Sequence, residues 1–191
     1  MTTPNIDELK RSCHEKAFHL YGTAFIYGVR AREREKYTQA ITLLGVMIPV
    51  LVGAVVTSYG LDSPISSIFL KILTPIAVFQ LVLSTLALVY KWDDKKSYYL
   101  ESSISNRQLA EDFTHLAKFP SQEITETIHA YEIIITKAQS REDQDDRYPF
   151  TSKEFKKGMR YSLRQYQKVC SGCGIVPVSM EPSDCEICGN F

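Results

Sequence analysis

The chain has 191 residues, and its acidic and basic side chains balance to a formal net charge of zero. That balance gives no electrostatic case for nucleic acid as the main partner. The slightly negative mean hydropathy would suit a soluble protein, but the average hides a strongly apolar middle between charged flanks.

Residues 1–37 read as an amphipathic cytoplasmic helix. Ile6, Leu9, Cys13, Ala17, Leu20, Ala24 and Tyr27 recur at steps of three or four, and Phe18, Tyr21 and Phe25 widen the stripe. Such a face needs a partner surface, and packing explains its aromatics better than ligand binding does. Arg30, Arg32, Arg34 and Lys36 follow, alternating with Glu33 and Glu35. This run reads as a juxtamembrane anchor with ion pairs between neighbouring helical turns.

Residues 38–61 carry no charged side chain and are long enough to cross the hydrocarbon of a bilayer as a helix. The stretch starts too far along, and runs too long, for a signal peptide. Gly60, Asp62, Ser63 and Pro64 supply a tight turn, so residues 62–67 form a short extracytoplasmic loop and 68–90 a second span. Lys71 sits one turn into that span and can snorkel to the outer headgroups. Lys91, Lys95 and Lys96 follow the second span, so the positive-inside bias puts both termini in the cytoplasm. Tyr59, Tyr90 and Trp92 suit the aromatic belts. The competing reading is a soluble protein with a very apolar helical hairpin.

Within the spans, Gly45, Pro49 and Gly53 share one face and permit close helix contact. Thr74, Gln80 and Ser84 are polar positions of the second span, with Gln80 near mid-depth. A glutamine there wants a partner on another helix or water in a lumen, so these residues are candidates for helix packing or for lining a pore. Two spans cannot enclose a channel alone, so a pore requires several copies.

Beyond the hairpin, residues 91–139 read as cytoplasmic helices, with Leu109, Phe113 and Leu116 on one face. Pro120 ends the first, and Ser121 caps a second that carries Ile124, Ile128, Tyr131 and Ile135. The charged run of 140–150 reads as a linker. Thr151 and Glu154 make a capping box for a helix over 151–169.

The chain closes on Cys170, Cys173, Cys185 and Cys188, two CxxC pairs eleven residues apart. Each pair offers two thiolates from one knuckle, and four thiolates complete a closed tetrahedral zinc site in a reducing compartment. An iron–sulfur cluster and thiol redox chemistry are the alternatives. Structural zinc would give residues 170–191 folding energy that so short a segment cannot draw from its own core. No phosphate-binding loop, dinucleotide fingerprint, nucleophile elbow or HExxH is present, and the four histidines form no metal pair with a third ligand in view. Nothing points to an enzyme.

The run YGVRAREREKYTQAITLLGVMIPVLVGAVVTSYG, residues 27–60, resembles the SLATT family of two-transmembrane effectors from bacterial conflict systems. The order of long helix, hairpin and further cytoplasmic helix matches it too. The paired CxxC ending resembles the subgroup carried on mobile elements. The resemblance implies a pore-forming effector that arrests or kills an infected cell, partnered with a separate sensor protein or answering a nucleotide signal. It brings no catalytic residues.

The sequence therefore leads to an all-α membrane protein: a two-helix transmembrane hairpin, long cytoplasmic helices and a small C-terminal zinc knuckle. The expected function is a homo-oligomeric effector of the bacterial inner membrane, with zinc as structural cofactor and the bilayer, itself and a sensor as partners. The alternatives are a membrane-anchored adaptor whose zinc module recruits a protein, and a holin-like or small transport protein.

Overall fold

A computed structural model describes residues 5–191, and among these it shows five helices and no strand. They are α1 (Ile6–Tyr59), α2 (Pro64–Val89), α3 (Trp92–Lys118), α4 (Ile124–Asp145) and α5 (Ser152–Gln165). The chain divides into two units, one of Met1–Val29 with Tyr99–Phe191, the other of Arg30–Tyr98.

In the first unit the predicted stripe of α1 meets its partner surface. Cys13 and Ala17 pack with Leu109, Ala110, Phe113, Leu116 and Ala117 of α3 and with Ala138 of α4. The small residues let the helices approach, and Phe113, fully buried, fills the space between them. Burial pushes the Cys13 thiol up to about 11, so it behaves as a small apolar side chain. Tyr27, also fully buried, donates its hydroxyl to the Asp145 carbonyl at 3.0 Å.

Helix α5 lies on another face of α1, at a glycine crossing. A Cβ added to Gly158 would stand 2.7 Å from Ile26 Cδ1 and 3.0 Å from the Gly22 carbonyl, and one on Gly22 would stand 3.1 Å from the Gly158 carbonyl. Backbone meets backbone here, so a larger residue cannot be absorbed by a rotamer change alone. Gly158→Leu is expected to cost about 1–3 kcal/mol through overpacking. The measurement is limited trypsin digestion, in which the segment from α5 onward should be cut faster than in wild type. Equal protection would show that the crossing tolerates the added bulk.

Two readings of the sequence change here. The run expected as a linker at 140–150 instead continues α4 as far as Asp145. Its charges are partly internal: Arg141 and Asp145 are buried and bonded to each other at 2.9 Å, and Ser102 and Asn106 of α3 donate to the same carboxylate. Alternating charge looks solvated in sequence, yet an i, i+4 arginine–aspartate pair can turn inward when a neighbouring helix supplies further donors. At the other end of α4 the N-cap is Glu123 rather than Ser121, with no side-chain cap bond, and Ser121 donates to Glu126 instead. The capping box of α5 is present in both directions, with Thr151 and Glu154 exchanging side-chain and backbone bonds.

The second unit holds the later part of α1, the turn, α2 and the start of α3. Gly60 sits at φ 77°, in the left-handed region that favours glycine, and Ser66 donates its hydroxyl to the Gly60 carbonyl at 2.6 Å. Ser63 caps α2, and Pro64 takes its first position, where a missing N–H costs nothing. Both α1 and α2 contain stretches long and apolar enough to cross a membrane, and those stretches are almost wholly exposed. Leu81, Leu88 and Val89 are among the large apolar side chains left uncovered.

Pro49 and Pro75 lie inside α1 and α2 and withhold an N–H from the Gly45 and Lys71 carbonyls respectively. Gln80 reaches across the hairpin, donating to the Ile41 carbonyl at 2.7 Å and to Ser84 Oγ at 3.2 Å, while its own Oε1 is buried without a partner. Gly45 lies against the Gln80 amide, whereas nothing approaches a Cβ built at Gly53. Thr74 bonds back to the Leu70 carbonyl of its own helix. Of the polar and small positions singled out in the spans, Gly45, Gln80 and Ser84 are thus brought together, and Gly53 and Thr74 stand apart.

In the basic flanks, the Arg34 guanidinium lies 5.7 Å from the Trp92 ring, beside Tyr37. Lys96 pairs with Asp93 at 3.4 Å. Lys91 takes a positive φ of 50° at the break between α2 and α3.

Candidate metal centre

Helix α5 delivers the chain directly into the cysteine module. The helix ends at Gln165 with Tyr166 as its C-cap, and the first knuckle begins at Cys170, where the Gly174 N–H returns to the Cys170 carbonyl at 2.9 Å. Gly174 sits at φ 69° to close that turn. The second knuckle repeats the bond, with the Gly189 N–H on the Cys185 carbonyl at 2.8 Å. A Cβ on Gly189 would fall 2.5 Å from the Ser183 carbonyl, so only glycine fits between the knuckle and the strap before it.

The two knuckles face each other. All four Sγ atoms lie within 4.8 Å of one another, with Cys170 to Cys185 at 3.8 Å and Cys173 to Cys188 at 3.9 Å. Metal–sulfur bonds of about 2.3 Å put the corners of a tetrahedron about 3.8 Å apart, so the donor set fits a single four-coordinate ion. The predicted ligands are therefore brought together, and a protein thiolate supplies every corner.

The surroundings favour thiolates unevenly. The backbone N–H groups of Cys188 and Ile187 pull the Cys185 thiol down to about 7. Burial, reinforced by the neighbouring thiols, pushes Cys188 up. A bound cation favours the charged form of all four groups.

Sequence reading missed Arg160. It is buried in α5, donates to the Ser179 carbonyl at 2.8 Å and to Ser183 Oγ and the Cys188 carbonyl at 3.2 Å, and lies 4.0 Å from Cys188 Sγ. It ties the strap and the second knuckle to the helix and sets a fixed positive charge beside a cluster that carries four negative charges when ionised. A signal was present: its i−4 and i+4 neighbours are Lys156 and Arg164, so it has no carboxylate along its own helix face. Lys156 adds an ion pair to Glu186 at 2.8 Å. The inner side of the centre is apolar, with Cys170 and Cys188 packed on Phe18 of α1 and Leu163 of α5.

Comparison with curated proteins and with solved structures gives no match. Comparison with protein families does: residues 10–191 match the family described as "Mobilome CxxCx(11)CxxC protein". The match runs through the helices as well as the facing knuckles, and by it the chain belongs to that family of mobile-element proteins.

Proposed function

We propose that the protein is an oligomeric effector of the bacterial inner membrane, of the SLATT type, which opens or disrupts the bilayer when triggered. The observation that carries this reading is the pair of long apolar stretches whose side chains find no cover within the chain. Leaving that much apolar surface in water is unfavourable at about 25 cal/mol per Å², so the hairpin needs a bilayer, further copies, or both. Both termini are cytoplasmic in this reading, and zinc is the structural ion of the four-cysteine centre. Membership of a mobile-element family supports a role in conflict between genetic elements.

The test is membrane potential in cells, followed by a voltage-sensitive dye after induction of the intact chain, alone and with its genomic neighbours. Depolarisation within minutes is the expected result. An unchanged potential in every combination would sink the effector reading. The cysteine module favours a second reading, since it leaves Val178 90 %, Ile175 64 % and Val169 61 % exposed. That surface suits an adaptor that recruits a protein, and an adaptor would bind its partner without ever depolarising the cell.

A further inference from the structure

The first unit contains a cavity of about 720 Å³, with α1 as its floor and α4 and α5 as its walls. Along α1 it runs from Ser12 to Tyr27, about 22 Å at the helical rise, or roughly four turns. Its walls offer Ile135 from α4, Phe155 and Met159 from α5, and Phe150 from the connection. Phe155 is half exposed. A space that extends over about four turns of α1 suits a helix lying along it better than a compact ligand.

Its charge is one-sided. Glu15, Glu142 and Asp146 line the mouth against Lys16, and among the described residues none of these three carboxylates has an ion-pair partner. A second observation points the same way. The end of α4 carries Glu142, Asp143, Asp145 and Asp146 with no basic residue in its last turn, although a helix C-terminus is itself negative. Arg141 holds only Asp145 among them. The remaining charges oppose the helix dipole, and a cationic partner would relieve them.

We propose that this groove binds a basic amphipathic helix of another protein. The apolar face of that helix rests on Phe150, Phe155 and Met159, and its lysines or arginines meet Glu15, Glu142 and Asp146. The chain itself is a poor source for this helix. Lys156 and Arg160 of α5 are engaged with the cysteine module, and the Arg30–Lys36 run alternates with glutamate. The inference does not rest on the membrane-effector reading, since an adaptor could use the same groove.

The test uses the full chain in detergent micelles and a fluorescent helical peptide of leucine and lysine, about 14 residues long, with a glutamate-for-lysine counterpart as charge control. Fluorescence anisotropy should show binding of the lysine peptide alone. The triple variant Glu15→Gln, Glu142→Gln, Asp146→Asn should weaken it about tenfold or more, and added salt should weaken wild-type binding. Phe155→Ala should also weaken it. The neutralised residues oppose the α4 dipole or lie exposed on α1, so helix content and metal content should be unchanged in the triple variant. Equal binding of the two peptides, or equal affinity in wild type and triple variant, would overturn the proposal. So would binding of spermidine without binding of the peptide, which would assign the cavity to a small amine.

Discussion

Replacing both Cys170 and Cys188 with serine is expected to abolish metal binding and to unfold the module beyond α5. The intact chain should hold about one zinc ion, and the double variant none. The effect is large because metal binding and folding are one event in a segment this short: apparent free energies of structural zinc sites run to about 10–16 kcal/mol. These two cysteines are the buried pair, and both lie against Phe18 and Leu163. Their loss should therefore also loosen α5 from α1, seen as faster proteolysis of the C-terminal part. Cys173 is exposed, and Cys173→Ser removes one corner while leaving three, so weaker binding is expected there rather than none. Metal analysis of the purified proteins is the check, and a double variant that keeps its zinc would show that the ion sits elsewhere.

Asp145→Ala is expected to destabilise the first unit by about 3–5 kcal/mol, the usual cost of breaking a buried ion pair by removing one partner. The side chains of Arg141 and Asp145 are only 6 % and 9 % exposed. The carboxylate accepts from Arg141 Nη2 at 2.9 Å, from Ser102 Oγ at 2.7 Å and from Asn106 Nδ2 at 2.7 Å. The substitution leaves a buried guanidinium, a hydroxyl and an amide short of an acceptor at once. Asp145→Asn keeps one acceptor oxygen in place and should cost less. Urea unfolding followed by circular dichroism separates the cases, and a loss below about 1 kcal/mol for Asp145→Ala would mean that water or Glu101 replaces the carboxylate.

The all-helical fold, the two apolar stretches and the four-cysteine cluster were legible in the sequence because each is a local signal. A charge-free run and a CxxC spacing need no knowledge of what packs where. The capping box at Thr151 was legible for the same reason. The run from Ser140 to Arg147 was not. Whether Arg141 faces water or α3 depends on a helix that begins about 50 residues earlier in the chain, and no periodicity within the run reports it. Arg160 left only a faint trace, the missing carboxylate on its own helix face, since its partners are carbonyls of an irregular strap and of the second knuckle. The groove was hidden too: its carboxylates sit on α1, on α4 and just after α4, and only the fold places them around one space.

The division of the chain bears on how it is made. The first unit is built from Met1–Val29 and from Tyr99 onward, with the whole of the second unit between them in sequence. A ribosome thus releases the Cys13–Phe18 stripe well before Phe113 or Leu163 exists to cover it. Closing so long a loop is slow, so the second unit is complete in sequence before the first can form. During that interval the nascent chain carries apolar stretches that its own residues never cover and a stripe still waiting for its partner. Helices α3 and α4 then cover Cys13 and Ala17, and the last-made residues, cysteines included, cover Phe18. A chain interrupted before α5 would be left with its hairpin finished and the glycine crossing of α1 bare.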